Sequence, residues 1–123
     1  MEFNACPCSG KTLGRLMQPA LMAFLAEEST HGYVLVQRLT GMAMFRGHAP
    51  DPTGVYRMLR NMEDDNLVRS SWDLTDTGPA RRRFTLTDSG RRCLHRWLQT
   101  LEEYALAIED LLTVVKASHP KRS

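Results

Sequence analysis

The chain has 123 residues, 42% hydrophobic and 24% charged, with a formal net charge of +2 from 16 basic and 14 acidic side chains. That length suits one domain plus a long helix and excludes a second independent catalytic domain, and the composition excludes wholesale disorder. No run approaches the roughly 18 consecutive apolar residues of a membrane span, and the first residues lack the basic and apolar regions of a leader, so a cytoplasmic location away from membranes is expected.

Residues 1–11 carry Pro7, Ser9, Gly10 and two of the three cysteines with little apolar periodicity, which reads as a flexible arm. Cys6 and Cys8 are weak candidates for a metal or redox signal, needing Cys93, a histidine or a second subunit to complete a ligand set. An odd number of cysteines without a leader argues against a disulfide framework, and no cofactor is expected. Thr12 can cap a short turn, and from there to residue 87 the pattern reads as one domain. Pro19 suits the first turn of a helix, where its missing N–H is no loss. Leu21, Met22, Phe24 and Leu25 give that helix an apolar face over about residues 18–28. A second, shorter amphipathic run from Tyr33 to Leu39 ends near Gly41. Gly47, Pro50 and Pro52 exclude a continuous helix across 42–52.

Asp51 ahead of Pro52 is an N-cap with proline at N1, opening a third helix. Val55, Leu59 and Met62 stack along it, leaving Tyr56, Arg57 and Arg60 on other faces. Asn66 can end it in the left-handed conformation. Leu67 to Trp72 and Arg81 to Leu86 read as two strands of a hairpin, joined by a turn at Asp76, Thr77, Gly78 and Pro79. Thr87 caps the last helix, and Asp88 meets the positive end of its dipole. On that helix, expected over 88–117, Leu94, Leu98, Leu101, Ala105, Ile108, Leu112 and Val115 recur at steps of four and three, which is a coiled-coil seam. Trp97, Tyr104 and Leu111 add a second row. A stripe that wide must face both its own domain and another chain, so a homodimer is expected, with 118–123 as a tail.

Between Arg81 and Arg96 six arginines meet one acid, and arginine outnumbers lysine 13 to 3 over the chain. The guanidinium fork suits phosphate, and an arginine cluster in a small chain is an electrostatic footprint of nucleic acid. Three helices followed by a hairpin is the element order of a winged helix-turn-helix, whose third helix enters the major groove. The expected fold is therefore mostly α with a small antiparallel β-hairpin: a winged helix-turn-helix plus a long C-terminal dimerisation helix. Hydroxyls of Thr53 and Tyr56 would meet phosphate near the helix N-terminus. Arg57 would read guanine O6 and N7, and Arg60 lies one turn on. Arg81, Arg82 and Arg83 on the hairpin, the wing, are the further DNA candidates; Arg81 and Arg83 share one face of their strand while Arg82 points to the other, so not all three can grip one phosphate, and at least one is expected to pair with an acid such as Glu63 or Asp73. No Ser/His/Asp arrangement, Gly-rich phosphate loop or HExxH motif is present, so no enzyme is expected. The rival is a winged-helix protein-interaction adaptor without a specific DNA site.

His31-Gly32-Tyr33, the run from Val55 through Tyr56, Arg57 and Arg60 to Glu63, Trp72, and the segment Gly78-Pro79-Ala80-Arg81-Arg82-Arg83-Phe84-Thr85-Leu86-Thr87-Asp88-Ser89-Gly90 stand in register. Together they resemble the PadR family of transcriptional regulators over about residues 18–115. The resemblance implies a homodimeric DNA binder, usually a repressor relieved by a small molecule or other signal, with dimer contacts through the C-terminal helix. Thr53-Gly54 stands where the family usually carries Gly-Thr, and Asn66 where glycine is usual. A two-fold dimer predicts an inverted-repeat operator. Trp97 and Tyr104, one heptad apart, are candidates for holding a flat apolar effector. His31 is assigned no chemistry, and Met42, Met44 and Met58 are read as gap-fillers of a small core.

Overall fold

Capping and breaking residues set the helices of the computed structural model, which describes residues 11–46, 49–74, 78 and 80–118. Cys6, Cys8 and most of the expected hairpin turn lie outside those residues. A 3₁₀ turn at Lys11–Leu16 leads into α1 (Met17–Glu27), with Pro19 in its first turn. Helix α2 (Gly32–Thr40) ends at Gly41, and a 3₁₀ turn at Ala43–Phe45 occupies part of the glycine- and proline-containing segment. Helix α3 (Pro52–Asp64) begins as expected: the Asp51 carboxylate accepts the Thr53 N–H at 3.2 Å, with proline at N1. Its end is a Schellman motif. Asn66 takes φ 63°, and the N–H groups of Asn66 and Leu67 return to the carbonyls of Glu63 and Met62.

Strands β2 (Val68–Asp73) and β3 (Arg81–Leu86) pair antiparallel from Val68↔Leu86 to Asp73↔Arg81. The sheet has a third member that the hairpin expectation lacked. Residues Thr30–His31 form β1, which pairs with β3 through Thr30↔Phe84 and His31↔Arg83, giving the order β1-β3-β2. Two residues are too few for strand alternation to show, and their partner lies far along the chain. Leu21, Met22 and Leu25 of α1, Leu35 and Leu39 of α2, and Val55, Leu59 and Met62 of α3 close over Val68, Phe84 and Leu86 of the sheet. Each such side chain contributes about 1.5–3 kcal/mol when fully buried. Met44 and Met58 pack against this core as gap-fillers, while Met42 is largely exposed.

Helix α4 (Asp88–Ala117) starts at the junction of sheet and α3. The Thr87 hydroxyl accepts the Gly90 N–H at 2.9 Å and lies 2.7 Å from the Asn66 carbonyl and 3.0 Å from that of Leu67. Gly90 is buried so tightly that a Cβ there would collide with the Leu67 carbonyl and the Leu86 side chain. Cys93, Leu94 and Trp97 pack on the core, and the Trp97 Nε1–H donates to Gln18 Oε1 at 2.9 Å. Beyond residue 101 every residue of α4 is exposed. We expect Gly90→Ala to lower unfolding free energy by about 3 kcal/mol, because the obstacle is backbone and not a movable side chain. Thr87→Ala should cost about 1–2 kcal/mol as a lost cap. Urea unfolding checks both, and a Gly90→Ala protein as stable as the parent would contradict the close packing.

Candidate nucleic-acid interface

Burial of Val55, Leu59 and Met62 fixes the rotation of α3, and the same rotation leaves Thr53, Tyr56, Arg57 and Arg60 on the outer face. Arg57 and Arg60 form no ion pair or side-chain hydrogen bond among the described residues. The edge of the Tyr56 ring and its hydroxyl lie against Gly32 at the start of α2, where a Cβ would overlap them, and the residue as a whole is 40% exposed. Two of the sequence signatures, His31-Gly32-Tyr33 and Val55-Tyr56-Arg57, thus meet in one contact.

The wing arginines divide by strand parity as expected. Arg82 shares the inward side with Phe84: its Nε donates to Ser70 Oγ at 3.0 Å and its Nη2 lies 3.6 Å from Glu63 Oε1, with the guanidinium 5.5 Å from the Trp72 ring centroid. Ser70 in turn donates to Glu63 Oε2 at 2.8 Å. On the other side Arg83 donates through Nε to Asp73 Oδ2 at 2.8 Å and through Nη1 to the Ser29 carbonyl at 3.0 Å. His31 Nε2 reaches that same Oδ2 at 2.8 Å. Both acids named from the sequence therefore engage an arginine. Arg81 donates to Tyr33 Oη at 3.0 Å and sits 5.1 Å from that ring's centroid, while His31 stacks on the Tyr33 ring at 5.8 Å and 11°.

A cleft of about 540 Å³ opens between α3 and the wing, lined by His31, Gly32, Tyr33, Tyr56, Trp72, Ala80, Arg81 and Arg82. It gathers Tyr56, Arg81 and Arg82 from the residues singled out in the sequence. Thr53, Arg57 and Arg60 are outside its lining, on the helix face, and Arg83 is also outside it, engaged by Asp73 and the Ser29 carbonyl. His31 and Tyr33 carry more of the geometry than their sequence positions suggested. Only their place in the motif marked them, since the contacts to Asp73 and Arg81 span the whole domain.

The seam expected on α4 divides at the edge of the domain. Leu94 is half-buried against its own core and, with Leu98 and Leu101, lines a groove of about 640 Å³ that α1, Met42 and Met44 close with apolar side chains and α4 edges with Arg91 and His95. Ala105, Ile108, Leu112 and Val115 are exposed. Trp97 and Tyr104, the candidates for an effector surface, have different surroundings within one chain. Both lie on one side of the helix, but the domain ends between them: Trp97 is held by Gln18 of α1 and borders a hollow of only about 210 Å³, while Tyr104 projects from the free half.

Hydrogen bonds from His31 and Arg83 hold the Asp73 carboxyl below the usual carboxylate range, against a small opposing effect of desolvation. A carboxyl whose pKa falls on folding stabilises the native state above its unfolded value of about 3.9, and that contribution disappears as pH drops through the folded value. The wing should therefore loosen below about pH 4, visible as shifts of the β2 and β3 amide resonances in an NMR titration. Asp73→Asn should show a looser wing already at neutral pH and no such acid transition.

Residues 21–96 match the transcriptional regulator PadR-like family. A protein described as a probable transcriptional regulator of Mycobacterium tuberculosis is 33% identical over 79 residues, covering 64% of this chain and 41% of that protein, so the chain spans less than half the length of this curated relative. Among solved structures, a proposed transcriptional regulator from Thermoplasma acidophilum superposes with TM-score 0.72 at 24% identity, covering 84% of this chain and 96% of that one. Bacillus subtilis PadR, solved in complex with operator DNA, gives TM-score 0.60 at 22% identity over 68% of this chain and 47% of its own. No helix among the described residues is long and apolar enough to cross a membrane. The family match covers more than half of the chain and contains α2, α3 and the arginine-bearing wing, and on that ground the chain belongs to the PadR-like family of transcriptional regulators.

Proposed function

We propose that the chain binds duplex DNA sequence-specifically, as a homodimeric repressor on an inverted-repeat operator. One observation carries this reading: α3 is locked to the core by one face and presents Arg57 and Arg60, free of acidic partners among the described residues, on the other, beside an arginine-bearing wing. Arginine at that position can bridge guanine O6 and N7 in the major groove, while Thr53 and Tyr56 hydroxyls suit phosphate. Bacillus subtilis PadR, with the same fold, was solved on operator DNA.

Support for the dimer comes from α4. Ile108, Leu111, Leu112 and Val115 are 61%, 60%, 48% and 46% exposed and recur at steps of three and four along one side of the helix, an apolar stripe that a lone chain would leave in water. Charge along the helix favours a second copy in antiparallel sense, since Arg91, Arg92 and Arg96 lie near its start and Glu102, Glu103, Glu109 and Asp110 further on. None of these forms an ion pair among the described residues. A small apolar ligand entering that seam near Tyr104 is the proposed signal for release.

Arg57→Ala is expected to flatten base preference by about 1–3 kcal/mol at the contacted position, measured by competition among operator variants. Uniform loss across all duplexes would assign Arg57 to the backbone instead. Ile108→Glu should yield monomers at low micromolar concentration in sedimentation, with helicity retained by circular dichroism, because a carboxylate at an apolar seam is buried without a partner. A variant that still sediments as a dimer would move the interface elsewhere.

A further inference from the structure

We infer that the cleft between α3 and the wing seats one phosphodiester of the DNA backbone, with Arg81 as its cation and Tyr33 as the residue that positions it. This rests on the DNA-binding reading above and narrows it, because the three wing arginines are not equivalent. Arg82 meets Glu63 and Arg83 meets Asp73, so each already has a carboxylate beside it. Arg81 is exposed and meets no carboxylate among the described residues. Its Nη1 gives one hydrogen bond to Tyr33 Oη, leaving the rest of a five-donor fork open.

Tyr33 is itself held in place. Its ring is stacked on His31, and His31 is tied to Asp73 by the 2.8 Å contact that also anchors the wing. The guanidinium is thereby fixed at the cleft wall by a hydroxyl and a ring face, without a countercharge to cancel it. Because Tyr33 Oη accepts from Arg81, its own proton remains available, and the Tyr56 hydroxyl on the same lining has no partner among the described residues. Two hydroxyls and one cation without a carboxylate partner share the cleft lining, which contains no acid among the described residues. That is the donor set for a singly charged phosphate oxygen pair. A free anion would find the site open to water and shared with few contacts. A duplex backbone would be held there by the neighbouring α3 face, which makes the phosphodiester the better occupant.

The test uses the full chain and a short duplex of mixed sequence, with affinity followed by anisotropy across a potassium chloride series. The parent should lose affinity linearly in log salt. Arg81→Ala should make that slope shallower by about 0.9 per protomer, whereas Arg82→Ala should keep the parent slope. Tyr33→Phe, which retains the ring, should weaken binding about fivefold at fixed salt and have a smaller effect in the Arg81→Ala background, where only the hydroxyl's own donation is left to lose. Thermal melts of Arg81→Ala and Tyr33→Phe should match the parent, since both side chains are exposed. An unchanged slope in Arg81→Ala, or an equal loss in Arg82→Ala, would falsify the seat. Equal effects of Tyr33→Phe in both backgrounds would remove its positioning role. If the parent binds no duplex, the DNA reading fails with it. Resonance shifts of Tyr33 on adding inorganic phosphate at constant ionic strength, seen in that case and absent in Arg81→Ala, would reassign the cleft to a small anion and overturn the phosphodiester.

Discussion

A buried threonine hydroxyl joins three elements that would otherwise move independently. Thr87 caps α4 through the Gly90 N–H and faces the carbonyls of Asn66 and Leu67, where α3 ends and β2 begins. Gly90 brings the α4 backbone against that same turn, at a distance no side chain would allow. The left-handed Asn66 is what turns the Leu67 carbonyl toward the junction. The helix that carries the proposed seam is thus bolted to the end of the helix that carries the proposed reading face. A second copy packed along α4 would fix the separation of two α3 helices through this turn, and a ligand that shifts the seam would be felt there.

Charge crowding explains the architecture of the wing. Three consecutive arginines on β3 place two guanidinium groups on one side of the sheet and one on the other. Left unpaired they would repel one another and loosen a short strand. Glu63 and Asp73 each answer one of them, and aromatic faces support two: Trp72 beneath Arg82 and Tyr33 beneath Arg81. Since these pairs are partly solvated, each is worth little alone, near 0–1 kcal/mol for an exposed ion pair. Their value lies in geometry: they hold a strand edge and a cleft wall in one arrangement, which would reduce the side-chain entropy lost on binding the proposed DNA.

Local signals are legible in the sequence because the forces behind them are local. Asp51-Pro52 starts α3, Asn66 ends it, Thr87 opens α4, and the four-and-three spacing from Leu94 to Val115 lies on one helix that runs to Ala117, all consequences of capping and periodicity within a few residues. What escaped is non-local. Strand β1 is two residues long and exists only through its pairing with Phe84 and Arg83. The Trp97 bond to Gln18 depends on where α1 lies, so heptad spacing alone could place Trp97 and Tyr104 on one side without showing that the domain stops between them. His31, read without chemistry, links α2 to the wing only because sheet register brings Asp73 to it. The arginine parity was legible from strand alternation, but which arginine would remain without an acid was not.

The free half of α4 bears on how such a molecule can respond to a signal. A helix of 30 residues is about 45 Å long, and its own domain covers it only as far as Leu101. The remainder displays apolar side chains whose exposure is unfavourable at about 25 cal/mol per Å², so the proposed pairing with a second copy would be favoured without any contribution from DNA. Near the domain the helix also borders the α1 groove at Leu98 and Leu101, where a partner would meet side chains from two elements of different origin. An apolar ligand competing for that groove would alter the seam at the end nearest Thr87, where a given displacement is transmitted to α3 over the shortest distance. A ligand bound near Val115 would act at the far end, separated from the junction by most of the helix. Coupling between signal and DNA should therefore be strongest for occupants of the groove between α1 and the first exposed turn of α4.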